Sequence, residues 1–167
     1  MPDKETLERA ERDKREGKAP STQAGEFVRE EIEHVREGKH GVRSTKQAIA
    51  IGLSKARRAG VDLPPPKKGS AKTRKSAKRA YAAGHSAVKK RKRPSAKRSR
   101  AITKALKREG HSAASRKALS KQARTAARKR SAASRSAAAR KASRTKGPAL
   151  RSAAAKKAAR TRARKSR

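Results

Sequence analysis

Cationic side chains dominate the chemistry available to this sequence, and they are concentrated in its second part. Residues 67–167, here called the basic region, hold 38 Lys and Arg and a single acid, Glu109. Residues 1–66 hold 14 Lys and Arg against 12 Asp and Glu, a net charge of +2. Ammonium and guanidinium groups bind phosphate oxygens, so a total net charge of +39 predicts a polyanionic partner. Nucleic acid is the first candidate and an anionic membrane surface is the second.

Every Lys and Arg after the triple proline at 64–66 is a candidate contact to nucleic acid. These residues are Lys67, Lys68, Lys72, Arg74, Lys75, Lys78, Arg79, Lys89, Lys90, Arg91, Lys92, Arg93, Lys97, Arg98, Arg100, Lys104, Lys107, Arg108, Arg116, Lys117, Lys121, Arg124, Arg128, Lys129, Arg130, Arg135, Arg140, Lys141, Arg144, Lys146, Arg151, Lys156, Lys157, Arg160, Arg162, Arg164, Lys165 and Arg167.

The charge density of the basic region favours coating of DNA over recognition of a site. Duplex DNA carries about one negative charge per 1.7 Å. The basic region has a net charge of +37, so wound as a helix it would carry about one positive charge per 4 Å. Because this density is under half that of the duplex, several chains would coat one stretch, or one chain would bridge two duplexes. The sequence therefore predicts a nucleoid-type protein that coats, bridges or compacts DNA.

The residues that read adenine edges or stack on unpaired bases are scarce. The chain has no Asn, few Gln, and Tyr81 as the single aromatic residue of the basic region, so neither adenine edges nor unstacked bases have their usual partners. A recognition helix carrying Lys46, Arg57 and Arg58 is an alternative, but an ordinary amphipathic helix is favoured there. Binding to RNA or to the ribosome is the alternative to DNA, since the same cations serve both.

Catalytic and metal-binding chemistry is not indicated. The chain has no Cys, and its four His (34, 40, 85 and 111) lack the spacing of metal ligands. No nucleophile triad and no phosphate-binding loop is present. We therefore expect no enzyme activity, no metal, no cofactor and no small-molecule substrate.

A group of acidic residues lies in the near-neutral part of the chain. Glu30, Glu31, Glu33 and Glu37 are expected to form the solvated face of a helix. A second interpretation is that they mask the basic region in cis until DNA displaces them.

The near-neutral part should supply three helices, at about 3–17, 21–37 and 44–59. The order Ser44-Thr45-Lys46-Gln47 fits a capping box. Gly52 costs about 1 kcal/mol in mid-helix relative to Ala, which indicates a close approach of another helix. The side chains expected to pack between the helices are Phe27, Val28, Ile32, Val35, Ile49 and Leu53.

The core available to these helices is small. Twelve of the 18 large apolar side chains lie in the first 63 residues, which is few for a domain of this length. We therefore predict a marginal helical hairpin that self-associates or becomes ordered on a partner.

The expected fold is all-α, in three parts. Residues 1–63 form the near-neutral helical module, 64–69 a Pro-rich linker, and 70–167 a tail of low complexity built from Ala, Lys, Arg and Ser. Ala, Lys and Arg favour helix, but like charges four apart, such as Lys117 and Lys121, oppose it. The tail is expected to be mostly disordered in water and helical on nucleic acid, at 95–109, 112–146 and 149–164.

No apolar run is long enough to span a membrane. We expect a cytoplasmic protein without a membrane partner.

Three stretches carry a resemblance to a known family. Residues 21–31 (STQAGEFVREE), the turn at 38–41 (GKHG) and the box at 43–60 (RSTKQAIAIGLSKARRAG) resemble a family of small, basic, uncharacterised bacterial proteins. Its members are often labelled as candidate DNA-binding proteins. The resemblance covers about residues 20–69, and it implies a bacterial origin and no catalytic residue. In composition, the basic region resembles histone H1-like bacterial nucleoid proteins.

Overall fold

The structure is a computed structural model that describes residues 2–86 and 95–165. The described residues form α-helices and one short 3-10 helix, with no β-strand, so the predicted all-α class is confirmed for them. Two compact units are present, Met1–Gln122 and Ala123–Arg167. The helices are α1 (Lys4–Arg15), α2 (Pro20–Arg36), α3 (Thr45–Arg58), α4 (Ala71–His85), α5 (Ala96–Lys107), the 3-10 helix (Ser112–Ala114), α6 (Arg116–Arg128) and α7 (Ala132–Lys165).

Local sequence signals explain where α2 and α3 begin. Pro20 occupies the first turn of α2, where its fixed φ and missing N–H cost nothing. The N-cap is Ala19, so the N-cap predicted at Ser21 or Thr22 is two or three residues late. At α3, Ser44 Oγ accepts a hydrogen bond from Gln47 N at 3.3 Å. The Gln47 carboxamide oxygen accepts a hydrogen bond from Arg43 N at 3.0 Å. In a capping box the donor would be the N–H of the N-cap residue, Ser44, so the contact is shifted by one residue.

The first core lies where α2 packs between α1 and α3. Phe27 is 1 % exposed and is surrounded by buried Ala10, Ala24, Ala56 and Val61. Small residues around one large ring let the helices approach closely with few large apolar groups.

The second core lies at the other end of α2 and α3. Val35, Val42 and Ala48 are buried there together with Ala114, a residue of the basic region. Of the six side chains expected to pack between the helices, Phe27 and Val35 are buried, and the others are partly buried: Val28, Ile32, Ile49 and Leu53.

Gly52 marks the closest approach of α3 to α2. A Cβ built on Gly52 would lie 2.6 Å from Val28 Cα and 2.9 Å from the Phe27 carbonyl oxygen. Real side chains essentially never approach a backbone this closely, so the two helices can pack in this way only around glycine. The close approach predicted from the sequence is therefore present.

Helix α4 packs against α3 although it follows the triple proline. Ala77 and Ala80 are buried in this contact, and a Cβ on Gly84 would collide with the Arg57 carbonyl oxygen. The Tyr81 hydroxyl donates to Asp62 Oδ1 at 2.7 Å, just after α3. A stripe of small residues at helical spacing thus joins the start of the basic region to the module.

Residues 106–114, here called the docked segment, lie against the loop between α2 and α3. Gly41 N donates to Leu106 O at 3.0 Å, and Val42 N donates to Gly110 O at 3.1 Å. Thr45 Oγ1 donates to the Ala113 carbonyl at 2.6 Å. Arg36 Nε donates a hydrogen bond to Ala114 O at 2.9 Å, and His111 Nδ1 lies 2.8 Å from Val35 O. Ala114, the last residue of the segment, is buried.

The prediction of a disordered tail is wrong for the described residues, which are mainly helical. Serine caps explain where these helices begin: the hydroxyls of Ser70, Ser95, Ser115 and Ser131 each accept a hydrogen bond from the backbone N–H three residues ahead, at 3.2–3.3 Å. Such caps are worth about 1 kcal/mol each. Together with the high helix propensity of Ala, they outweigh repulsion between cations four residues apart.

The predicted breaks at Gly110 and Gly147 are present. Helix α7 is interrupted at Gly147 (φ 67°, ψ 170°), directly before Pro148. The interruption between α6 and α7 does not follow from the predicted segments, and it coincides with the cap at Ser131. The predicted segment at 112–146 is therefore a 3-10 helix, α6 and the first half of α7.

Candidate nucleic-acid interface

The predicted contacts to nucleic acid are on the surface. Every Lys and Arg from Lys67 to Arg164 that the structure describes is exposed. Six of the predicted residues lie outside the described residues: Lys89, Lys90, Arg91, Lys92, Arg93 and Arg167. An exposed cation can exchange hydration water for a phosphate without first leaving a buried partner.

Carboxylates do not compete for these cations within the basic region. Its single acidic residue, Glu109, pairs with Arg43 of the module at 3.4 Å. The contacts seen for the tail arginines are with neutral groups: Arg130 donates to Ser134 Oγ at 3.1 Å and Arg151 donates to Gly147 O at 3.2 Å. A phosphate would be a stronger partner than either.

Helix α7 has a repeated pattern of charge that the sequence interpretation missed. Residues 135–146 (RSAAARKASRTK) and 151–162 (RSAAAKKAARTR) are identical at nine of twelve positions, and each holds five cations at matching places. The structure repeats a contact as well, because Thr145 Oγ1 donates to Lys141 O at 2.9 Å and Thr161 Oγ1 donates to Lys157 O at 3.0 Å. The two halves of α7 therefore offer equivalent sets of cations on either side of Gly147. A self-comparison of the sequence at a spacing of sixteen residues would have found them.

Helix α3 does not present the cations of a recognition helix. Arg57 is 8 % exposed, and its guanidinium donates to Leu63 O at 3.0 Å and to Pro64 O at 3.4 Å. Burial lowers the pKa of Arg57. Lys46 and Arg58 are exposed, so Arg57 holds the turn after α3 while the other two face solvent. This arrangement counts against the sequence-reading alternative.

Two of the clustered carboxylates are buried, so the expectation of a solvated acidic face is wrong for them. Glu30 is 2 % exposed and Glu31 is 1 % exposed, because Lys55 of α3 reaches both carboxylates with Nζ at 2.8 Å. Burial alone would raise the pKa of Glu30, but hydrogen bonds from Lys55, from the Asp3 backbone and from Thr6 outweigh it and lower that pKa. Burial would lower the pKa of Lys55, but the two glutamates outweigh it and raise that pKa.

The other two carboxylates also find partners within the module. Glu33 pairs with Arg29 at 3.0 Å, and Glu37 pairs with Lys39 at 3.0 Å. The interpretation that these acids mask the basic region gains no support from these contacts.

Two of the four histidines come together with a carboxylate. His34 and His40 meet edge to face, with ring centroids 6.4 Å apart. One ligand-type atom from each of Glu31, His34 and His40 lies within 4.8 Å of the others. The sequence spacing does not indicate this, because the turn at 38–41 folds His40 back over the last turns of α2. The other two histidines lie elsewhere: His85 stacks on Tyr81, and His111 belongs to the docked segment.

Of the helices in the described ranges, none has the length and apolar character needed to cross a membrane.

Comparison with known proteins gives one match. Residues 4–68 match the model of a family of unknown function, DUF6496. No curated protein and no solved structure matches the chain. The family match covers α1, α2, α3 and the triple proline, and it ends before α4. Its description carries no activity, so the DNA-binding label and the likeness to histone H1-like proteins stay predictions.

Proposed function

We propose that this protein binds nucleic acid without sequence preference, with duplex DNA as the favoured partner, and that it coats, bridges or compacts DNA. One observation carries the proposal: every described Lys and Arg from Lys67 to Arg164 is exposed, in a segment whose sequence holds one acid. We place its action in the bacterial nucleoid and assign it no catalysis.

The helical state of the basic region supports coating rather than site recognition. Helix α7 holds 12 Lys and Arg in 34 residues and no acid, which at about 1.5 Å per residue is about one positive charge per 4 Å. These cations follow a helix that is built largely from Ala and lacks the Asn and Gln side chains that read adenine edges. Contacts to the phosphate backbone position a protein on DNA but carry no sequence information.

The near-neutral module has a different role in this proposal. Several of its acids pair with its own cations, as in the contact of Lys55 with Glu30 and Glu31, and its net charge is only +2. We propose that it is an oligomerising or partner-docking element, through which the basic regions of several chains are brought to one nucleic acid.

A salt titration tests the proposal. The affinity of the full chain is measured for two duplexes of equal length and different sequence, and for a duplex RNA, over a series of salt concentrations. We expect log K to fall linearly with log salt by about 0.9 for each phosphate contact in B-DNA, with nearly equal affinity for the two DNA sequences.

Two results would count against the proposal. A small salt slope would remove the electrostatic basis, and a strong preference for one DNA sequence would remove the lack of specificity. Tighter binding to RNA at every salt concentration would favour the RNA-associated or ribosome-associated alternative.

A further inference from the structure

We infer that Glu31, His34 and His40 form a binding site for a divalent transition-metal ion of the zinc type. The inference is independent of the proposed function, because it concerns the near-neutral module. Two imidazoles with one carboxylate are a zinc ligand set, and such sites complete their coordination with water or a further side chain.

The unsatisfied state of Glu31 is the first argument. Its side chain is 1 % exposed, and its Oε1 atom accepts no hydrogen bond. Lys55 Nζ lies 2.8 Å from Oε2 as an ion pair, whereas Oε1 has His40 Nε2 as its polar neighbour at 3.2 Å. A buried carboxylate oxygen needs a partner, because leaving it without one costs free energy.

The tautomer of His40 is the second argument. His40 Nδ1 lies 3.2 Å from the Gly41 carbonyl oxygen, which can only accept, so Nδ1 carries the proton. In the neutral ring, Nε2 then presents a lone pair toward the lone pairs of Glu31 Oε1. A cation between the two atoms removes this repulsion. Zinc bonds of 2.0–2.1 Å at the tetrahedral angle place ligand atoms about 3.3 Å apart, close to the 3.2 Å seen here.

The surroundings of His34 fit the same interpretation. His34 Nε2 lies 3.0 Å from Asp3 Oδ2, and this hydrogen bond lowers the pKa of Asp3. A carboxylate that accepts from one ring nitrogen orients the other nitrogen toward a metal, an arrangement common behind zinc-bound imidazoles. A polar cleft of about 280 Å³ is lined by Asp3, Glu30 and His34, so the His34 side of the cluster borders solvent, while Glu31 and His40 lie outside the lining of this cleft.

The charge balance of the cluster is the third argument. Asp3, Glu30 and Glu31 contribute three negative charges, and Lys55 contributes one positive charge. Apart from the imidazoles, these side chains have a net charge of −2, which one divalent ion neutralises. Glu30 is not included among the ligands, because its oxygens already accept from Lys55 and from Asp3 N.

The test uses Zn²⁺ and Co²⁺ on the full chain, free of nucleic acid. We expect Zn²⁺ to bind with a stoichiometry of one by calorimetry and to raise the melting temperature, and Co²⁺ to give the visible absorption of a site with nitrogen ligands. Removal of a group that lies behind a metal ligand weakens metal binding by about 10–100-fold. His40→Gln and the near-isosteric Glu31→Gln remove a ligand itself, so each should weaken Zn²⁺ binding by more than that. His85→Gln is the matched control, since His85 is exposed beside Tyr81, and it should leave Zn²⁺ binding unchanged.

Circular dichroism of each variant without metal separates loss of ligand from loss of fold. If His40→Gln unfolds, the Co²⁺ spectrum of the unaltered chain still decides, because tetrahedral coordination by imidazole has its own absorption. Absence of Zn²⁺ binding in the unaltered chain would overturn the inference, as would equal loss in His40→Gln and His85→Gln. In that case, the contact of His40 Nε2 with Glu31 Oε1 at 3.2 Å would be a structural one only.

Discussion

Gly52 is the single residue on which the contact between α2 and α3 depends most directly. We predict that Gly52→Ala lowers the free energy of unfolding by up to about 2 kcal/mol. The new methyl group must displace the backbone near Val28, an overpacking cost of about 1–3 kcal/mol that is offset by a gain of about 1 kcal/mol in helix propensity. Urea unfolding followed by circular dichroism measures the change.

Gly25 provides the matched control within α2. A Cβ at Gly25 meets no atom within 4 Å, and the residue is exposed. Gly25→Ala should therefore stabilise the protein by about 0.5–1 kcal/mol. If both substitutions stabilised the protein, the close approach of the helices would be wrong.

Tyr81 indicates whether α4 is held against the module. The hydrogen bond to Asp62, at 2.7 Å, raises the pKa of Tyr81 above its ordinary value of 10.0. Because the neutral phenol is the donor, this hydrogen bond is complete below pH 10 and disappears as the pH rises through the raised pKa of the folded protein. Tyr81 is the only tyrosine of the chain, so its ultraviolet absorbance gives one titration.

The expected result for Asp62→Asn is a titration shifted back toward 10.0. Glu16→Gln, which removes an exposed acid remote from Tyr81 in sequence, should leave the titration unchanged. An unshifted Tyr81 in the unaltered chain would mean that α4 does not make this contact in solution.

Residue type and spacing predict the caps and close approaches that depend on neighbours in sequence. The Ser44 cap and the role of Gly52 are of this kind. The burial of Glu30 and Glu31 is not predictable in this way, since a charged residue is buried only where another helix supplies its partner, here Lys55. The burial of Arg57 could not be predicted for the same reason, because the guanidinium donates to backbone carbonyls of the turn that follows α3.

At the scale of elements, the packing of the docked segment against the loop between α2 and α3 is the largest feature that the sequence does not predict. We predict that Gly41→Ala releases this segment, because its Cβ would collide with the Glu109 carbonyl oxygen. Amide hydrogen exchange at Val42 and Ala114 should become faster, since their N–H groups donate to Gly110 O and His111 O. Exchange at the core of α2 should stay slow.

Gly110→Ala is the control for this experiment. A Cβ at Gly110 meets nothing within 4 Å, although the residue belongs to the same segment. Slow exchange at Ala114 in Gly41→Ala would show that the segment is not packed as described.

The prediction that the tail is disordered was wrong because it gave too much weight to repulsion between neighbouring cations. Like charges four residues apart disfavour an isolated helix by a few tenths of a kcal/mol per pair, but serine caps and alanine propensity act in the same segments and are larger. Alanine is also a core residue in this protein, and amino-acid composition does not indicate this. Ala77, Ala80 and Ala114 are buried, because an alanine lets two backbones approach where a larger side chain would not fit.

At the scale of the whole molecule, the two halves of α7 should contribute equally to binding. We predict that replacing the five cations of either half by Gln lowers the magnitude of the salt slope by up to about 4–5, since each phosphate contact accounts for about 0.9 of that slope. The measurement is the salt titration on duplex DNA. The matched variants are R135Q/R140Q/K141Q/R144Q/K146Q and R151Q/K156Q/K157Q/R160Q/R162Q.

Equal decreases are expected because binding depends on charge and not on a local site. A large decrease with one set and none with the other would place a specific site in one half of α7, against the proposed lack of specificity.

The division of the chain at the triple proline stays a prediction about the roles of its parts. In the structure, α4 and the docked segment pack with the first three helices, so the basic region begins within the first compact unit. Contacts between distant segments depend on tertiary fit, which composition does not encode.

The most direct test of the central claim is to identify the polymer bound to the protein in cells. Cells are crosslinked, the full chain is recovered, and the complex is treated with DNase or with RNase. The proposal predicts that DNase releases the partner and RNase does not, with DNA recovered from many unrelated sequences. Recovery of the protein without any polynucleotide, or of a complex that resists both nucleases, would contradict it.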